Sequence, residues 1–241
     1  MATAGIVLAG GSGSRVQREV NKVFLTLGER EMLAYSLDTM DRSPMIDLVV
    51  LVVRDDDRGL AEQLIAGAGF SKLGKVVPGG NSRHQSERQG LEAIADEIER
   101  DEIDIVAIHD GARPFMTSGL LHSTLEAAKL HGGGVPGLPI DGPVYQQGDD
   151  GAIALPHQRL RRMQTPQAFR AAPLLEAYRR AEVDSREGVD TAETAARYSD
   201  LTIRVVPGDP RNIKVTFVED IFRAEEYAAA FDRGRWKDEG R

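Results

Sequence analysis

Near the N-terminus stands a set of residues whose types and spacing suit phosphate chemistry. The stretch is Leu8-Ala9-Gly10-Gly11-Ser12-Gly13-Ser14-Arg15, with Lys22 following it and the apolar run Gly5-Ile6-Val7-Leu8 ahead of it. Glycines let backbone N–H groups approach anionic oxygens closely. Arg15 and Lys22 put full positive charge where phosphate charge would sit. Other polar clusters recur later: Pro78-Gly79-Gly80-Asn81 with Arg83 and Ser86, His109-Asp110-Gly111-Ala112-Arg113-Pro114, Thr165-Pro166-Gln167, and Asn212-Ile213-Lys214-Val215-Thr216.

These clusters need a scaffold that brings them together, and the apolar pattern supplies one. Short apolar runs at Gly5–Ala9, Asp47–Val53, Lys75–Val77, Ile103–Ile108, Gly134–Pro139 and Leu201–Val206 read as strands. Helical spacing is expected over Glu31–Met40, Arg58–Ala68, one long helix at Arg83–Arg100, Gly119–Leu130, Ala172–Glu182, Ala192–Tyr198 and Val218–Phe231. In the closing helix Ile221, Phe222 and Tyr227 read as core. The alternation predicts an α/β fold: a Rossmann-like, mostly parallel sheet with helices on both faces. Ligands bind such sheets at the carboxyl ends of the strands, so the loops at 10–15, 79–86 and 109–114 should converge on one rim.

The rhythm breaks between Asp141 and Arg162, where Asp149-Asp150-Gly151 separates two short extended pieces. Asp-Gly between such pieces signals a hairpin. The expectation is one domain over 1–241 with a projecting β-arm at about 141–162. A lone two-stranded arm is marginal in water, so a homodimer through the arm is expected.

Composition narrows the classes. The 241 residues carry a formal net charge of −8 and no cysteine. General binding to nucleic acid or to an anionic membrane is disfavoured, and disulfides and thiolate chemistry are excluded. The longest strongly apolar run, Leu48 to Val53, is far short of the ~20 residues that span a bilayer. No secretory signal pattern is visible, so cytoplasmic location is the expectation. His109 lacks a second histidine at ligand spacing and reads as a structural histidine. The acidic clusters Asp55–Asp57 and Asp101–Asp104 read as solvated faces or helix ends.

The first loop does not fit a P-loop, which needs G-x-x-x-x-G-K-[ST], nor a dinucleotide fingerprint, whose third glycine position holds Val16. With Lys22 it resembles the loop of pyrophosphorylase-type nucleotidyltransferases. The ordered set of later motifs is similar to the 2-C-methyl-D-erythritol 4-phosphate cytidylyltransferase family and covers residues 5 to about 231. The resemblance implies transfer of a cytidylyl group from CTP to a polyol phosphate with Mg²⁺ and release of pyrophosphate. It implies that Arg15, Lys22 and Lys214 are the catalytic cations. Ala9, Gly10, Gly11, Gly13, Gly80, Asn81, Arg83 and Ser86 would bind the nucleotide. Asp110, Arg113, Thr165 and Thr191 would serve the acceptor, and Asp110 would also assist Mg²⁺.

Departures from the family pattern gather in the acceptor half. Asn21 stands where the family usually has proline before the lysine. The stretch Pro139-Ile140-Asp141-Gly142-Pro143-Val144-Tyr145 lacks the usual threonine and lysine of the arm. The position of the acceptor arginine holds His157, with Arg159 as a nearby substitute, and Asp190-Thr191-Ala192-Glu193 replaces the usual Thr-Asp-Asp/Glu. Methylerythritol phosphate, another polyol phosphate such as ribitol 5-phosphate, and a binding paralogue without turnover are the three readings that follow.

Overall fold

The computed structural model describes residues 1–10, 21–149 and 151–232, with the backbone alone at 157 and 232. Gly11, Gly13 and Arg15 of the first loop lie outside the described residues. In chain order the elements are β1 (Ala2–Ala9), β2 (Thr26–Leu27), β3 (Arg30–Glu31), α1 (Met32–Arg42), β4 (Leu48–Val53), α2 (Arg58–Ala68), β5 (Leu73–Pro78), α3 (Arg83–Glu92), α4 (Ala95–Glu99) and β6 (Ile103–Asp110). There follow α5 (Ser118–His131), β7 (Gly132–Pro139), β8 (Val144–Gly148), β9 (Gly151–Leu155), β10 (Arg161–Met163), β11 (Gln167–Arg170), α6 (Ala171–Val183), α7 (Thr191–Tyr198), β12 (Thr202–Pro207) and α8 (Val218–Asp232).

Among the described residues the main sheet has eight strands in the order β10-β7-β11-β6-β1-β4-β5, with β12 also on β7. The β5-β4-β1-β6 half is wholly parallel, whereas β11 and β10 run against their neighbours. Successive residues of the central strands enter opposite cores, Val7 and Leu51 on one face and Ile6 and Val50 on the other. That is the period of two expected of strands covered on both faces. Helices α1, α2, α5 and α8 bury apolar residues on the first face, and α3, α4, α6 and α7 on the second. No helix among the described residues is long and apolar enough to cross a membrane.

The sequence reading needs four amendments. The long helix expected at Arg83–Arg100 is two helices, interrupted at Ala93 and Ile94. The Ala93 carbonyl accepts from Lys75 Nζ at 2.7 Å. β11 is a four-residue antiparallel strand that periodicity did not mark. The self-paired hairpin β8-β9 occupies only Val144–Leu155, and β10 belongs to the main sheet rather than to the arm. Phe222 is 69% exposed, because the inward stripe of α8 carries Ala224 and Ala228 instead.

Candidate active site

The parallel strands β1, β4, β5 and β6 all end on one rim, and the segments that leave them line a cleft of about 880 Å³. Its walls include Ala9, Gly10, Lys22, Gly80, Asn81, Arg83, Ser86, Asp110 and Lys214. The convergence expected of the loops after β5 and β6 is therefore observed.

The wall after β5 is built by Ser86, which is buried on α3. Its hydroxyl donates to the Ser82 carbonyl at 2.9 Å and accepts from the Gly80 N–H at 3.1 Å. A hydroxyl has two lone pairs, so one is left to accept from a ligand. Ser82 caps α3, its hydroxyl accepting from the Gln85 N–H at 3.1 Å. Gly10 faces this loop, and a Cβ there would stand 3.1 Å from the Ser86 oxygen. A side chain at this position would crowd the Ser86 hydroxyl, and glycine leaves that hydroxyl room.

Lys22 is placed by the residue that departs from the family pattern. Asn21 is buried and caps the 3₁₀ turn Lys22–Phe24. Its Nδ2 donates to the Ala9 carbonyl at 2.9 Å and to Asp57 Oδ2 at 2.8 Å. One side chain thus ties the end of β1 to the segment after β4. Asp57 is buried at the N-terminal end of α2, in line with the helix-end alternative for the cluster Asp55–Asp57 rather than the solvated face; Asp55 and Asp56 line the cleft.

The opposite wall centres on Asp110 at the end of β6. Arg83 Nε meets Asp110 Oδ1 at 3.1 Å, Lys214 Nζ meets Oδ2 at 2.9 Å, and Arg113 Nε lies 3.6 Å from Oδ2. Burial alone would raise this carboxyl, but Arg83, Lys214 and Arg113 outweigh it and hold it far below the usual carboxylate range. Arg83 in turn lies 2.6 Å from Glu87, which is fully buried. Burial opposes the Arg83 charge, yet Asp110 and Glu87 together raise its pKa. Lys214 sits on an irregular segment held by the Val215 N–H, which donates to the Ala112 carbonyl at 2.9 Å. Asn212 anchors the same segment, donating from Nδ2 to the Thr165 carbonyl at 2.8 Å.

His109 is structural, as its sequence context suggested. Its Nε2 faces the Arg113 carbonyl at 3.0 Å, which can only accept, so that nitrogen carries the proton. The Thr165 hydroxyl then donates to Nδ1 at 3.0 Å and accepts from the Asp110 N–H at 3.0 Å. Burial pushes the imidazole down to about 4, which keeps the ring neutral.

Several acceptor residues named from sequence do not line the cleft. Thr165 is buried with its hydroxyl committed to His109 and Asp110. Thr191 is fully buried, and its hydroxyl donates to Glu87. Both stand behind the wall and support it. His157 and Arg159 lie in a short 3₁₀ turn after the hairpin, and Arg159 is exposed.

Sequence reasoning missed Arg162 and Arg223. With Arg113, Asn212 and Lys214 they line a second pocket of about 250 Å³. Lys214 belongs to both pockets and so forms the partition between them. For Arg162 the signal was available in the run Arg159-Leu160-Arg161-Arg162, but nothing local says which of its arginines lines the pocket.

Among the described residues no group of three or more His, Asp or Glu could hold a metal ion. Magnesium is commonly bound by one or two carboxylates plus substrate phosphates. The carboxylates that line the cleft are Asp55, Asp56 and Asp110, and Asp110 is already paired with Arg83, Arg113 and Lys214.

Comparison with known proteins agrees with this architecture. The family model for IspD, 2-C-methyl-D-erythritol 4-phosphate cytidylyltransferase, matches residues 3–230. A protein of that name from Geobacter metallireducens is 35% identical over 94% of this chain and 97% of its own length. One from Geobacillus kaustophilus is 34% identical over 93% and 96%. The crystal structure of 4-diphosphocytidyl-2C-methyl-D-erythritol synthase from Anaerococcus prevotii superposes with a TM-score of 0.82 at 26% identity, covering 95% of this chain and 98% of that one. With the motifs on one rim of the sheet and the match spanning nearly the whole length, the chain belongs to the 2-C-methyl-D-erythritol 4-phosphate cytidylyltransferase family.

Proposed function

We propose that this chain joins CTP to 2-C-methyl-D-erythritol 4-phosphate, giving 4-diphosphocytidyl-2-C-methyl-D-erythritol and pyrophosphate. The observation that carries the reading is the placement of Lys214 on the partition between a nucleotide-sized cleft and a smaller cationic pocket. A phosphate oxygen of the acceptor forms a bond to the α-phosphorus of CTP, and the bond from that phosphorus to the β-bridging oxygen breaks. A phosphate monoester is already largely ionised at neutral pH, its second pKa being about 6, so no general base is needed. The chemical difficulty is bringing two anions together and stabilising charge at the crowded phosphorus.

Fixed cations meet that difficulty from two sides. Lys22, with Arg15, serves the triphosphate, and Lys214 faces the α-phosphate and the incoming acceptor. Gly80, Asn81 and the remaining lone pair of Ser86 read the cytosine edge, the hydroxyl accepting from the exocyclic amine. Arg113, Arg162 and Arg223 hold the acceptor phosphate in the smaller pocket. Mg²⁺ on the triphosphate would neutralise phosphate charge, and Asp110 is the carboxylate on the Lys214 wall that could reach it.

The exposed hairpin supports a homodimer. It forms its own two-stranded sheet and leaves Tyr145 at 59% and Ile153 at 70% exposed. In a dimer His157 and Arg159 would act at the other subunit's acceptor pocket. Tyr145→Asp with Ile153→Asp should then give monomers in sedimentation.

The reaction is tested by CTP-dependent pyrophosphate release across a panel of polyol phosphates. Release with 2-C-methyl-D-erythritol 4-phosphate is the expected result. Release with ribitol 5-phosphate alone would replace the acceptor, and CTP binding with no release for any acceptor would overturn catalysis. The reading places the enzyme in the cytoplasm.

A further inference from the structure

Glu87 is an anomaly of the core. It lies on α3 with 0% exposure, and the desolvation of a buried carboxylate is costly. Replacing buried ion pairs by apolar residues is often neutral or stabilising, so stability alone explains such a residue poorly. What surrounds Glu87 connects it to the active site. The Tyr178 hydroxyl donates to Oε2 at 2.7 Å, the Thr191 hydroxyl donates to Oε1, and Arg83 Nη1 lies 2.6 Å from Oε1. The same guanidinium presents Nε to Asp110 Oδ1 at 3.1 Å.

We propose that Glu87 is a positioning residue for the transfer reaction, acting through Arg83 to set how Asp110 engages Lys214. The inference rests on the cytidylyltransferase reading of this site. A guanidinium free to choose its geometry pairs with a carboxylate through two parallel hydrogen bonds. Held by Glu87 from behind, Arg83 offers Asp110 its Nε and meets only Oδ1. Oδ2 then takes Lys214 at 2.9 Å, with Arg113 Nε farther off at 3.6 Å. Without the Glu87 charge Arg83 can take both Asp110 oxygens and release Lys214 from its place on the partition. Tyr178 and Thr191 complete the device by holding Glu87 from the protein interior.

The test, run above pH 7 where Glu87 is ionised, is a double-mutant cycle on the full-length enzyme, with Glu87→Gln, Arg83→Gln and the pair. Expected is a loss of kcat on the order of ten-fold in Glu87→Gln, with KM for CTP little changed. The double variant should be no slower than Arg83→Gln alone, because one residue acts through the other. A folded Glu87→Gln enzyme with the parent kcat, or effects that multiply in the double variant, would overturn the proposal. A second readout does not need turnover: the Arg83 Nε–H signal in NMR should move in Glu87→Gln, and an unmoved signal overturns the relay. A parent enzyme inactive with every polyol phosphate would sink the functional reading, and the NMR signal would still decide the relay. If Glu87→Gln does not fold, Thr191→Val and Tyr178→Phe each remove one hydroxyl from Glu87. Both should lower kcat in the same direction, and parent kcat in both overturns the proposal.

Discussion

The two walls of the cleft are constructed on different principles. The wall that carries Ser86 comes from the ends of parallel strands, with a glycine loop, a helix cap and backbone N–H groups gathered between Gly79 and Ser86 and Gly10 set against them. The wall that carries Asp110 and Lys214 is assembled from side chains far apart in the chain. Lys214 meets Asp110 across the sheet rim, Arg83 reaches it from α3, and Thr165 braces it from the segment before β11. The first wall is a local construction and the second is a convergence. Recognition by backbone geometry tolerates sequence drift around it, whereas a charge cluster depends on every member.

That contrast can be broken by experiment. The largest effect is expected from Lys214→Ala, which removes a fixed cation from the partition. Loss of one such stabilising group typically costs about 10²–10³-fold in kcat. The thermal midpoint should stay close to that of the parent, since the lysine is 41% exposed. A collapse of folding with little change in kcat per folded molecule would make the lysine structural.

Next in size is an opposition between two buried groups behind the Asp110 wall. His109 is held down to about 4 by burial, so the folded state binds fewer protons than the unfolded one between there and the ordinary imidazole value. Its contribution to stability is present above pH 6.5 and is lost as the pH falls toward 4. Glu87 is pushed up to about 7 by burial, against the pull of Arg83 and the two hydroxyls. Its ionisation costs stability as the pH rises from 4.5 to 7. Each amounts to about 3 kcal/mol over its window, with opposite signs. In the parent the two trends oppose one another in denaturant midpoints between pH 7 and 4.5. Glu87→Gln should lose stability on acidification and His109→Gln should gain it. Equal slopes in the two variants would remove the assignment.

A smaller effect separates the pockets. Arg162→Ala should raise KM for the acceptor by about ten-fold, the order of one charge-assisted contact, with KM for CTP unchanged. A rise for CTP instead would put this arginine on the nucleotide side. Smallest is Asn21→Ala, which leaves Asp57 and the Ala9 carbonyl short of a donor. A loss of about 1–2 kcal/mol in stability is expected, with weaker CTP binding measured by calorimetry. No change in either would show that Lys22 is placed without Asn21.

How much could be read beforehand differs between the walls. Strand runs at Asp47–Val53 and Ile103–Ile108, and the loops after β5 and β6, were legible because each is a short, contiguous pattern. The acceptor side was less so. β11 has only four residues, too few for periodicity to speak. Arg162 was one arginine among neighbours, and Thr191 looked like a substrate contact when it is a brace for Glu87. Glu87 itself left a trace: it stands on the stripe His84, Glu87, Leu91, Ile94, Ile98, a helical spacing whose other members are buried. A charged residue on such a stripe is a signal of a buried pair.

Residue order sufficed for the α/β alternation, the strand-end loops and the family, since these follow from local periodicity and from motifs that are contiguous in the chain. It also showed that the acceptor half departs from the usual pattern. Tertiary structure alone decided which charges share Asp110, that Arg83 is held between two carboxylates, and that Lys214 divides the large cleft from a cationic pocket. Electrostatic interaction depends on distance and on exclusion of water, and for residues 27 to 104 positions apart both are set by folding rather than by spacing in the chain.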